Sequence, residues 1–129
     1  MKRFAAMRTL HYDYPVTVGN DSRKVTFHCV VCTDTNSQAL GLMGQTLPSH
    51  CGCLIAYESP RDIGLWMKDC LHPLCALFFD GDGVLVHKAY MSNDTPNVTH
   101  RCPVPAQYVL EVLPNEGLGF KVGDRCYAS

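Results

Sequence analysis

Five consecutive apolar residues, Cys75-Ala76-Leu77-Phe78-Phe79, run straight into Asp80-Gly81-Asp82-Gly83 and then into the alternating stretch Val84–Tyr90. A short run with no polar member reads as a central strand buried on both faces. Asp-Gly pairs are the strongest local hairpin signal, because the favoured tight turns need positive φ. The chain therefore has to place a two-sided strand inside a sheet and return from it antiparallel. Everything else must supply neighbours and cover for that strand.

The other segments read the same way. Val16-Thr17-Val18, the turn residues Gly19-Asn20-Asp21-Ser22 and the run Lys24–Val31 make a second hairpin. Val25, Phe27, Cys29 and Val31 fall on one face of it, and Thr26, His28 and Val30 on the other. Cys53–Tyr57, Leu65–Lys68, Gln107–Leu113 and Arg125–Ala128 are further strands. Thr35 with Gln38 three residues later fits a capping box, and predicts one short helix over Asn36–Met43 stopped by Gly44. Ser92–Pro105 is a long loop with three prolines, of the kind that is usually functional or disordered. About eight strands, one short helix and no alternating strand–helix rhythm give a mostly-β sandwich or barrel. At 129 residues this is one domain, taken as 16–129. Residues 1–15, with Tyr12, Tyr14 and Pro15, read as an extended N-terminal arm.

Charge excludes several classes of partner. Eleven Lys and Arg nearly balance twelve Asp and Glu, for a net charge of -1. Apart from Arg23-Lys24 the basic residues are scattered, so no electrostatic footprint for nucleic acid or an anionic membrane is present. Met1-Lys2-Arg3-Phe4-Ala5-Ala6-Met7-Arg8 opens like a secretory signal. Its apolar part is too short for the roughly 7–15 residues such a signal needs. No run approaches the roughly 18 apolar residues that cross a bilayer. The chain is accordingly read as cytoplasmic, its eight cysteines reduced and its sequon Asn97-Val98-Thr99 unmodified.

Several segments together resemble a known family. Gly41-Leu42-Met43, Leu47-Pro48 and Gly52-Cys53-Leu54-Ile55 are similar to the opening of domain of unknown function 192. Leu65-Trp66-Met67-Lys68-Asp69-Cys70-Leu71-His72-Pro73-Leu74 resembles its central signature. Asp80-Gly81-Asp82-Gly83-Val84, Tyr108-Val109-Leu110-Glu111 and Val122-Gly123-Asp124 match later landmarks in order. The resemblance covers about Val16 to Ser129. It implies a compact β-barrel or jelly-roll-like sandwich with one helix packed on it, and brings no agreed activity. The chain departs from the family pattern at Gln45, Asp69 and Cys75, where the family has arginine, asparagine and aspartate.

The candidate ligand-binding residues gather around the only tryptophan. Trp66 and Lys68, two apart on an expected strand, share a face. An indole and an ammonium opening into one hollow suit a small anionic molecule with a flat group. The plainer alternative makes Trp66 a core residue, with Lys68 snorkelling past it to water. Asp69, Gln45 and Arg101 complete the set, Arg101 as a cation on the long loop acting as a lid. The expected function is a non-enzymatic small-molecule binding module with no cofactor. A metal- or thiol-dependent enzyme would use Cys70 and His72, with His50, Cys51 or Cys53 as further ligands. Cys51–Cys53 and the other Cys/His pairs lack the knuckle spacing of a zinc ribbon, and Cys29, Cys53 and Cys75 fit equally well as small buried hydrophobes. An interaction domain would use an exposed sheet edge or the Tyr12/Tyr14 arm. Asp80, Asp82, Glu111 and Asp124 are read as structural.

Overall fold

Strand β5 (Leu74–Phe79) is buried at every residue. Leu74, Ala76 and Phe78 point into one apolar cluster, and Cys75, Leu77 and Phe79 into another. The computed structural model describes residues 9–128, and the N-terminal stretch Met1–Arg8 lies outside them. After β5 the Asp80 carboxylate accepts the backbone N–H groups of Asp82 and Val84, each at 2.9 Å. Gly83 takes φ 79°. The chain then returns as β6 (Leu85–Met91), antiparallel to β5.

The remaining strands are β1 (Tyr14–Gly19), β2 (Lys24–Cys32), β3 (Cys51–Arg61), β4 (Gly64–Leu65), β7 (His100–Arg101), β8 (Ala106–Val112) and β9 (Arg125–Ala128). Two short helices complete the described chain, α1 (Thr35–Leu40) and α2 (Pro114–Gly117). Seven strands form one sheet in the order β6-β5-β8-β3-β2-β1-β9, and β4 pairs with β7 separately. The sheet curls until its edges meet at one end. Val84 bridges to Arg125, and Leu85 N–H donates to Asp124 O at 2.7 Å. The fold is thus mostly β, a curled half-barrel, with nine strands where about eight were expected.

The extra strand explains the long loop. β7 lies inside Ser92–Pro105 and pairs with β4, and Cys102 N–H donates to Ile63 O at 3.0 Å. The second half of that loop is therefore pinned, which argues against a free lid. β4 itself stops at Leu65, because Lys68-Asp69 forms a turn with Asp69 at φ 58°. Trp66 and Lys68 consequently do not share a strand face. At the other end β1 begins at Tyr14, so the last residues of the expected arm belong to the sheet. Tyr12 packs against the core.

One pair of neighbours in the large sheet is parallel, β2 with β3. Parallel neighbours need a crossover of a dozen or more residues. Residues 33–50 supply it and carry α1 across the face that holds Phe78 and Ile55. Asp34, not Thr35, caps α1, accepting the Ser37 N–H at 2.7 Å. The helix ends at Leu40 because Gly41 takes φ 46°, short of the expected Met43. Among the described residues no helix is long and apolar enough to cross a membrane.

Asp124 is 4% exposed and fully engaged. Its Oδ1 accepts from Asn20 Nδ2 at 3.1 Å and its Oδ2 accepts the Lys121 N–H at 3.1 Å. Removing such an acceptor leaves both donors without a partner beside the seam. Asp124→Ala should therefore cost about 2 kcal/mol, read as a lower urea midpoint. Thr17→Ala, at the exposed Thr17–Thr26 hydroxyl pair, should change stability by less than about 0.5 kcal/mol.

Candidate functional site

The crossover is fastened over the sheet by polar tethers. Gln38 Nε2 donates to Ala56 O at 2.8 Å and to Thr33 O at 3.1 Å, which ties α1 to β3. Gly44 N–H donates to Asp69 O at 2.9 Å. Leu47 N–H donates to His72 Nε2 at 3.0 Å. That bond makes Nε2 an acceptor, so His72 Nδ1 carries the hydrogen and donates to Pro73 O at 2.9 Å. These bonds join the tail of α1 to the turn after β4. Leu42 and Leu47 plug the space beneath.

Under this roof lies a cavity of about 300 Å³. Its wall comes from Gln38 to Met43, from Ile55, Tyr57 and Arg61 of β3, and from Leu65, Trp66 and Cys70. Its floor includes Glu111 of β8. β8 runs between β5 and β3, with Glu111 opposite Ala76 on one side and Cys53 on the other. Glu111 is 6% exposed, and among the described residues no donor hydrogen-bonds to its carboxyl. A Cβ on Gly41 would come within 3.8 Å of Oε1, which places that oxygen beneath the end of α1. Burial pushes the Glu111 carboxyl up from 4.5 to about 7, and the Cys32 thiol nearby adds to this.

The rim carries the opposite charge. The Arg61 guanidinium sits 4.6 Å from the centre of the Tyr57 ring. The Lys68 ammonium sits 5.3 Å from the centre of the Trp66 ring. Trp66 is 49% exposed, so it edges the opening and is not sealed in the core. The Tyr57 phenol is pushed up by burial, with Arg61 acting against that shift. A shallower hollow shares Thr35, Gln38, Tyr57 and Arg61 with the cavity and adds the acids Asp34 and Glu58.

Of the ligand residues expected from sequence, Trp66 alone lines the cavity. Lys68 is not part of the lining, and its ammonium lies over the Trp66 ring. Asp69 lies in the turn, with its backbone oxygen spent on Gly44. Gln45 follows α1 in a turn, its N–H donating to Leu42 O at 3.0 Å. Arg101 is held away by Asp62, at 3.1 Å. The residues missed by sequence reasoning are Glu111, Tyr57, Arg61 and Gln38. Glu111 left one signal, a lone charge between Leu110 and Val112.

The cysteines and histidines do not assemble. Among the described residues no group of three or more His, Cys, Asp and Glu side chains is placed to hold a metal ion. Cys53 Sγ lies 3.6 Å from Cys32 Sγ, both buried. Cys51 stands beside His28 in the β2–β3 ladder, and His72 uses both ring nitrogens in the roof. Cys70 does line the cavity, but as a poor nucleophile. Burial first, then Glu111 and Asp69, push its thiol up to about 11.

The family model of domain of unknown function 192 (DUF192), described as an uncharacterised ACR, matches residues 16–127. The chain belongs to the domain of unknown function 192 family. No curated protein matches it. A crystal structure of a protein of unknown function from Novosphingobium aromaticivorans DSM 12444 is similar, with 24% identity and TM-score 0.83, covering 95% of each chain. A Sinorhizobium meliloti 1021 protein provisionally described as a transcription regulator has 23% identity and TM-score 0.85. That match covers 94% of this chain and 97% of the other. At these identities the likeness shows the fold alone.

Two measurements check the site's electrostatics. A carboxyl that holds its proton more tightly folded than unfolded favours the fold below pH 4.5, and loses that advantage as pH rises through about 7. Relative to wild type, Glu111→Gln should gain up to about 3 kcal/mol between acid conditions and pH 8, followed by urea unfolding. A constant difference across that range would mean the carboxyl titrates normally. Alkylation of Cys70 should be slow at pH 7 and keep accelerating toward pH 11, as mass spectrometry of modified peptides would show.

Proposed function

We propose that this member of the domain of unknown function 192 family is a non-enzymatic, cytoplasmic binding module for a small molecule, held between the α1 roof and β3 with an anionic end at the rim. Concave sites with few, well-placed polar groups are the usual small-molecule sites. The observation that carries the reading is the half-exposed indole of Trp66 at the edge of a cavity of about 300 Å³, with the Lys68 ammonium over its face. Arg61 provides a second cation on the same cavity. The raised Cys70 thiol and the dispersed Cys/His groups weigh against the enzyme alternative. The net charge of -1 offers nucleic acid and anionic membranes no foothold.

Trp66 is the chain's only tryptophan, so it reports on the site without competing signals. A screen of small aromatic carboxylates and phosphates should yield compounds that shift Trp66 emission and raise the melting temperature together. Lys68→Met should then weaken binding about three- to fivefold, the worth of one rim charge. If no compound moves either signal, the cavity is not a small-molecule site.

A further inference from the structure

The two buried carboxyls of this protein are in opposite situations. Asp124 has a donor on each oxygen. Glu111 is equally buried, lines a cavity and has no hydrogen-bond donor among the described residues. The groups facing it come from every element around it. β2 gives the Cys32 thiol, and β3 gives Cys53, the Tyr57 phenol and, farther out, Arg61. The turn after β4 gives Cys70. β5 places Ala76 beside it. α1 gives no charged group, and the Gln38 amide already donates to Ala56 O and Thr33 O. Among the described residues no cation comes down to the floor, because Arg61 rests over Tyr57 and Lys68 over Trp66.

The cavity is therefore polarised, acceptor at the bottom and cations at the opening. The Glu111 carboxyl opens onto the cavity, and a charged donor brought there makes a shorter and stronger hydrogen bond than water does in so enclosed a setting. We infer that the site selects an amphoteric small molecule, with an ammonium or amidinium group donating to Glu111 and a carboxylate or similar anion turned toward Arg61 and Lys68. This rests on the cavity being a small-molecule site, and adds the chemistry of the occupant. At neutral pH the free carboxyl is part-protonated, so binding a cation there releases a proton.

Three rigid, matched probes separate the possibilities: 4-(aminomethyl)benzoate, 4-methylbenzoate and 4-methylbenzylamine. At pH 8 the first should bind at least about tenfold more tightly than either of the others, by Trp66 fluorescence and calorimetry. Glu111→Gln should erase its advantage over 4-methylbenzoate. In the wild-type protein, the Glu111 carboxyl carbon followed by NMR should titrate near 7 and move clearly downward with 4-(aminomethyl)benzoate bound. That last readout needs no variant. If 4-methylbenzoate binds as well as the zwitterion, or the Glu111 midpoint does not move, Glu111 does not receive the ligand, while the cavity stands as a binding site. If none of the three changes Trp66 emission or the melting temperature, the cavity reading fails and this inference with it.

Discussion

The parallel pairing of β2 with β3 governs what this molecule can do. Every other strand contact is antiparallel and could be closed by a short turn. The parallel pair cannot, so the chain must leave the sheet, cross one face and re-enter beside the strand it left. That detour lays Gly41–Met43 above Glu111 and leaves a gap between roof and sheet. Filled by apolar side chains, the gap would be more core. Here Leu42 and Leu47 fill one part, and the part above Glu111 stays open.

The charge distribution follows from that geometry. Glu111 cannot turn to water, because β8 is hemmed by β3 and β5 along its length. The cations can, because they leave from the end of β3 and from the exposed turn at Lys68, and both settle on aromatic faces. Cation–aromatic contacts at exposed sites are worth about 0.5–1 kcal/mol, enough to hold a long side chain near a rim and weak enough to release it. The same burial that raises Glu111 raises Cys29, Cys70, Cys75 and Cys126, and Cys53 is raised first by its hydrogen bond with Cys32 and then by burial. A cysteine-rich chain thus presents thiols that behave as small hydrophobes.

The sheet was legible because its signals are local. β5 declared itself by an unbroken apolar run, and the turn after it by Asp80 and Gly83, whose bonds and φ follow from residue type. The two-residue strands β4 and β7 were not legible, because pairing over Gly64–Leu65 and His100–Arg101 depends on where the ends of distant segments meet. For the same reason Arg101 was expected near the site and is instead tied to Asp62. Trp66 could have opened into a hollow or sat in the core, and it stands half-exposed at the cavity edge. The shared strand face expected with Lys68 does not hold, because Asp69 turns the chain at positive φ. Glu111 was read as structural, like Asp124, because a charge between Leu110 and Val112 does not tell whether the carboxyl finds donors. The difference is three-dimensional, in which of the two finds donors.

The way the roof is fastened bears on how anything enters. α1 has six residues and none of them is buried, so it gains little from packing. Helices that short are not stable alone, and this one depends on the Asp34 cap, the Gln38 amide and the bonds at Gly44 and Leu47. The sheet beneath is held by side chains buried on both faces. Segments with few buried apolar contacts open at lower free energy than the core they cover. By that measure the roof is the least secured part of the enclosure, and the sheet that carries Glu111 the most. A buried carboxyl under a lightly tethered cover costs stability that leucine at the same position would not, because burying a polar group is unfavourable without full hydrogen bonding.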